Sequence, residues 1–132
     1  MEINNMLQVV VVGDNGFASC MELSVNMISG IIKHNVHFID YQESMDSYAL
    51  YLQVLKHLGA LHKAELLIIL DSIEGAAYKE AIKIREYHIA KVGILIGANL
   101  ATILSLMFTE NNPLEEALEI GKKAGIEGII TT

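Results

Sequence analysis

The chain has 132 residues, a formal net charge of −7 and a 52% share of hydrophobic residues. That length predicts one domain able to bury most of its apolar surface without staples, and the apolar excess suits a sheet covered on both faces. The acidic balance argues against nonspecific nucleic-acid binding, and the lone Cys20 leaves no internal disulfide and points to a reducing compartment. The longest apolar runs, such as Leu66–Leu70, fall far short of the ~20 residues a membrane span needs. The opening MEINNM has no basic region leading into an apolar one, so no signal peptide is expected. A cytoplasmic domain with small-molecule or protein partners is the expectation.

In chain order, Leu7 and Val9–Val12 form an unalternated β-branched run, as in a strand buried on both faces of a parallel sheet. Gly13, Asp14, Asn15 and Gly16 break it with residues that tolerate tight turns. From Phe17 the period changes, and Met21, Val25 and Ile28 predict the inward face of a helix ending at Gly30. Val36–Ile39 reads as a second strand ending in Asp40. Ser44 is the predicted cap of the next helix, with Asp46 in its first turn. Its stripe is Leu50/Tyr51, Val54/Leu55 and Leu58, and Gly59 ends it. Leu66–Leu70 is a third strand, ending in Asp71. A helix from Gly75 to Tyr87 follows, with Ile82 inward. Val92–Ile96 is a fourth strand, followed by the turn Gly97, Ala98, Asn99. Leu100–Phe108 is apolar enough to be a buried helix. Asn111 or Asn112 caps a last helix with Pro113 in its first turn and Leu114, Ala117, Leu118 and Gly121 inward. Gly128–Thr131 could add a brief fifth strand.

Strands alternating with helices imply an α/β fold of parallel strands joined by crossovers, and four of them favour a doubly wound, flavodoxin-like sheet in the order 2-1-3-4 with helices on both faces. The order reverses between the first and third strands, so the crevice at their carboxyl ends is the predicted site. Asp14, Asp71 and Asn99 each follow a strand there, although turns after strands favour Asp, Asn and Gly for backbone reasons alone. Gly13 and Gly16 make neither a dinucleotide fingerprint nor a P-loop, and Asp40 is discounted as a ribose ligand for the same reason. His34, His37, His57, His62 and His88 show no metal spacing and read as structural or solvated. Cys20 reads as a small hydrophobe, and Ser19 and Ser72 lack a base for hydrolase chemistry.

Three segments resemble the enzyme IIA component of the mannose-family sugar phosphotransferase system (PTS). VVVVGDNGFASCM resembles that family's strand followed by His-Gly-x-x-Ala. LLIILDSIEGAAYKEA resembles strand, Asp-x-x-Gly-Gly-Ser-Pro-x-Asn, and GILIGANLATIL resembles strand, Gly-x-Asn-Leu-Pro-x-Leu. The closing EEALEIGKKAGIEGI resembles the family's last helix and strand. The likeness implies that residues 1–132 form a single IIA-like domain. It also implies a relay in which a first-loop histidine takes a phosphoryl group from the carrier HPr and passes it to a IIB protein, which serves a IIC/IID permease. A homodimer with an exchanged C-terminal strand, no direct membrane insertion and no cofactor belong to the same expectation.

Within this resemblance Asp14 stands in the acceptor-histidine position and Asp71 in that of the orienting carboxylate. Gly13, Asn15, Gly16, Ser72, Gly75, Gly97 and Asn99 are the expected binding residues. Glu74, Ala76, Ala77, Lys79 and Ala101 replace motif residues, so the departures gather at the site and spare the strands. Two accounts of Asp14 follow. Either the domain binds without transferring phosphate, as a regulatory module, or Asp14 itself accepts a phosphoryl group. No resident metal is expected, although Asp14 and Asp71 could share Mg²⁺, a hard cation suited to carboxylates. A nucleotide- or metal-binding flavodoxin-like protein is the third class.

Overall fold

In a computed structural model, residues 6–30 and 35–132 are described. His34 and the opening residues 1–5 lie outside them. Four strands, β1 (Gln8–Gly13), β2 (Val36–Asp40), β3 (Leu66–Leu70) and β4 (Val92–Ile96), pair in the order β2-β1-β3-β4. Every pairing is parallel, with Val12 beside both Ile39 and Leu70, and Leu70 beside Ile96. This is the order expected from the sequence.

The unalternated valines find a covered surface on each side. Val10 and Val12 pack with Ile68 and Leu70 against α2 (Ser47–Leu58) and α3 (Ala76–Ala81). Val9 and Val11 pack with Leu67 and Ile69 against α1 (Phe17–Ser29), α4 (Leu100–Ser105) and α5 (Leu114–Glu127). β1 and β3 are buried along their whole length. Each such aliphatic side chain contributes roughly 1.5–3 kcal/mol by leaving water. This two-sided core fixes where the loops after β1 and β3 emerge.

Several local expectations need correction. Ile28 is 62% exposed, because α1 turns Ala18 and Val25 inward with Met21 half-buried beside them. Asp46, not Ser44, caps α2, its carboxylate accepting the Ala49 N–H at 2.8 Å. The helix predicted to Tyr87 changes winding: α3 stops at Ala81, and a 3₁₀ turn covers Ile82–Glu86. In that tighter coil, residues three apart share a face, so Ile84 follows Ala81 into the core and Ile82 does not. α4 ends at Ser105, and Phe108 turns outward at 60% exposure. Pro113 occupies the extended cap position of α5 rather than its first turn, which begins at Leu114.

The predicted fifth strand is absent among the described residues. α5 runs to Glu127, Gly128 is in a turn, and Ile129 and Ile130 are exposed. β4 pairs only with β3, so its outer edge is open, but the tail does not pair along it. No described helix is long and apolar enough to cross a membrane.

Candidate functional site

The site begins where β1 ends. A Cβ on Gly13 would strike the Phe17 side chain, and the Gly13 carbonyl accepts the Tyr41 N–H at 2.8 Å. The Asp14 carbonyl then accepts the Phe17 N–H at 3.1 Å, closing a turn with φ of 55° at Asn15 and 81° at Gly16. Two successive positive φ values make a type I′ turn, for which Asn-Gly is the preferred pair. The turn delivers the chain into α1 and leaves the Asp14 side chain on the carboxyl edge of the sheet.

That side chain reaches across to the neighbouring loop. Asp14 Oδ2 accepts the Ala77 N–H at 3.4 Å, and Gly75 lies so close that a Cβ there would collide with the same oxygen. Asp14 thus supplies the side-chain acceptor that α3 lacks at its own cap, Gly75. The loop is also braced internally, with Ser72 Oγ accepting the Glu74 N–H at 3.0 Å.

Asp71 leaves β3 one residue past the Val12–Leu70 pairing, on the same edge as Asp14. Its Oδ1 is buried and has no hydrogen-bond partner. Among the described residues no Lys or Arg makes an ion pair with either carboxylate, and no cluster of three or more His, Cys, Asp or Glu is arranged for a metal. The described histidines sit away from these loops. His37 bonds Gln8 at 2.9 Å, His62 bonds the Gly59 carbonyl at 3.1 Å, and His88 bonds Tyr51 and Ala64.

Tyr41 is a rim residue that sequence reasoning missed. It is buried, its hydroxyl donates to the Met45 carbonyl at 2.8 Å, and its backbone is tied to Gly13. Burial raises its pKa above the usual 10, and the carboxylates of Glu80, Asp14, Glu43 and Asp46 push it further in the same direction. The available signal was its position just past Asp40, at the end of β2. Asp40 itself is structural, taking the Ser19 N–H at 3.1 Å and the Ser19 hydroxyl, so it caps the first turn of α1.

Gly97 adopts φ of 87°, turning the chain off β4 while its N–H and that of Ala98 return to the Leu70 carbonyl at 3.0 and 3.3 Å. Asn99 does not offer its amide to the rim. Its Oδ1 accepts the Thr102 N–H at 3.1 Å and its Nδ2 donates to the Gly125 carbonyl at 2.9 Å, tying α4 to α5. A groove of about 490 Å³ between β4 and α5 includes Gly97 and Asn99, but its apolar walls, Ile94, Ile96, Leu118, Ile126 and Ile129, lie apart from the two carboxylates.

No family model matches the sequence, and no curated protein matches it. Solved structures do match. The phosphotransferase system component EIIA from Streptococcus agalactiae superposes with a TM-score of 0.79 at 20% identity, over 96% of this chain and 97% of that one. The chain has the IIA fold. The mannose/sorbose specific IIA subunit from Enterococcus faecalis matches with a TM-score of 0.76 at 13% identity, over 96% and 95% of the two chains. A sigma-54 interaction domain protein from Enterococcus faecalis shares this IIA fold with a TM-score of 0.67 at 14% identity, over 95% and 93%. In a doubly wound sheet of this order the ligand crevice lies at the carboxyl ends of the central strands, the edge that carries Asp14 and Asp71.

Proposed function

We propose that this chain is a cytoplasmic IIA-type component of a mannose-family sugar phosphotransferase system, docking HPr and a IIB protein, in which histidine relay chemistry is lost. The observation that carries the reading is the state of Asp14, which occupies the acceptor-histidine position of the resemblance. A phosphoryl acceptor needs an exposed nucleophile with free donors around it to stabilise the transferring oxygens. Here a carboxylate already takes the Ala77 N–H, and among the described residues no Lys or Arg forms an ion pair with it. Phosphoryl transfer depends on such positive charge, which disfavours Asp14 as a replacement acceptor.

Incubation with enzyme I, HPr and labelled phosphoenolpyruvate tests this directly. The expected result is no label on the wild-type chain together with measurable HPr binding. Label on Asp14 would overturn the loss of relay. A regulatory module outside sugar transport is the second reading, favoured by the same fold in a sigma-54 interaction domain protein. Absence of binding to both HPr and IIB would select it. The proposal includes a homodimer in which the exposed tail Gly128–Thr132 of each copy lies along the β4 edge of the other, beside the apolar groove.

A further inference from the structure

We propose that Ile82–Glu86 is a two-state spacer whose winding, set by the seat of Tyr87, decides whether α3 stays fastened to Asp14. The segment winds as 3₁₀ directly behind α3 for five residues, a longer run than such coils usually sustain. Nothing local demands it. Ala76–Glu86 reads AAYKEAIKIRE, with neither Gly nor Pro, and its Ala, Lys, Glu and Arg are among the better α-formers. The backbone is already divided between the two windings. The Ile84 carbonyl accepts the Tyr87 N–H at 3.0 Å, a 3₁₀ bond, and the His88 N–H at 3.0 Å, an α bond. Upstream, the Ile82 N–H makes the α bond to the Tyr78 carbonyl.

Core packing does not choose between them. Ile84 is buried, and its spacing from Ala81 suits a 3₁₀ face while its spacing from Ala77 suits an α face. Tyr87 does choose. It shares the face of Ile84 only at period three, and α winding swings it about 60° away. In its present seat the ring stacks on Tyr51 at 5.7 Å and meets Tyr48 edge to face at 5.9 Å. Its hydroxyl shares a 3.1 Å hydrogen bond with Ser47 Oγ. His88 anchors the same end of the segment to Ala64 and Tyr51. Rewinding the segment as α shortens it by about 2.5 Å, the rise falling by about 0.5 Å per residue. With the His88 end held, the start of α3 is drawn back, and the 3.4 Å bond from the Ala77 N–H to Asp14 cannot follow. Seated, Tyr87 keeps that bond closed; unseated, it frees the Asp14 carboxylate from α3.

The test is solution NMR on the full chain, reading contacts from each Hα to the amide four residues on across Ile82–Glu86, and hydrogen exchange at the Ala77 amide. Those contacts mark α winding, whereas 3₁₀ winding brings residues three apart into register. The wild type should lack them. Tyr87→Ala should introduce them and speed Ala77 exchange by about tenfold more than that of the β1 and β3 amides. Tyr87→Phe keeps the stack, loses only the Ser47 bond and should stay 3₁₀. Because coupling is reciprocal, Asp14→Ala should also raise the α contacts. The proposal is overturned by α contacts in the wild type, by 3₁₀ winding retained in Tyr87→Ala, by Ala77 exchange rising no more than that of the strands, or by an unchanged pattern in Asp14→Ala. If Tyr87→Ala fails to fold, native-state exchange of the wild type decides. The Ala77 and Tyr87 amides should then open as one unit with equal protection, and unequal protection overturns the proposal.

Discussion

Asp14 and Ala77, 63 positions apart, are joined by a 3.4 Å hydrogen bond from the Ala77 N–H to Asp14 Oδ2. The loop after β1 is thereby fastened to the start of α3, and Gly75 sits against the same carboxylate with no room for a Cβ. Asp14→Ala should cost about 1 kcal/mol, the usual loss when a cap is removed. Gly75→Ala should destabilise the wild type but be nearly neutral in the Asp14→Ala background, since Gly75 has an ordinary φ of −74° and only the carboxylate excludes a methyl. Urea unfolding of the four proteins checks the coupling, and additive effects would contradict the contact.

Asp14→His restores the residue type of the resembling motif beside Asp71, whose Oδ1 lacks a donor. An imidazole N–H there would satisfy it and aim the other ring nitrogen outward. Label from phosphorylated HPr should appear on this variant as an acid-labile adduct and be absent from the wild type. Failure to label would implicate the replaced loop residues Ala76, Ala77 and Lys79.

His88 holds the far side of the core. Its Nε2 bonds the Ala64 carbonyl at 2.7 Å and its Nδ1 meets the Tyr51 hydroxyl at 2.9 Å, with both side chains buried. His88→Ala strands two polar groups and opens a void, so a loss of roughly 2–4 kcal/mol is expected. Tyr51→Phe removes one bond only and should cost about 1 kcal/mol. Thermal or denaturant unfolding distinguishes the two.

His57 carries a small acid sensitivity. Burial of its ring lowers its pKa below 6.5, with Lys56 acting in the same direction and Glu22 against it, while the ring of His37 stands 5.9 Å away. The folded state therefore binds the proton less tightly than the unfolded chain. Its contribution is fully present above the unfolded value and fades as pH falls through the folded one. The ring is only partly shielded and the residue as a whole is exposed, so the slope is shallow. In unfolding curves taken between pH 7 and pH 5, His57→Gln should flatten the decline; an unchanged slope would rule His57 out as its source.

The exposed tail gives a prediction about assembly. Ile129 and Ile130 are 73% and 80% exposed, with Ile129 lining the groove beside β4, a cost that association of two copies would relieve. Sedimentation should show a dimer for the full chain. Ile130→Asp should shift it toward monomer with little change in the far-ultraviolet spectrum. A wild-type monomer at micromolar concentration would exclude the exchanged tail.

The sheet was legible because Val9–Val12 and Leu66–Leu70 are apolar on both faces, a pattern that solvent-facing strands do not show. The strand ends then located Asp14 and Asp71 on one edge. The role of Asn99 was not legible, because its amide is consumed by Gly125, which is 26 positions away. Tyr41 was overlooked because its signal is tertiary: its N–H returns to Gly13 and its hydroxyl to Met45. Ile28 was misplaced because the inward face of α1 runs through Ala18, Met21 and Val25, and the last turn carries Ile28 off it.

The bond from Asn99 to Gly125 also bears on how the chain leaves α5. Gly125 admits no side chain because Thr102 Oγ1 fills the space where a Cβ would go, so the final turn of α5 is aimed by the residue that leaves β4. Changing Asn99 would then swing the direction in which residues 128–132 exit. An assembly defect, rather than a chemical one, would be the first symptom.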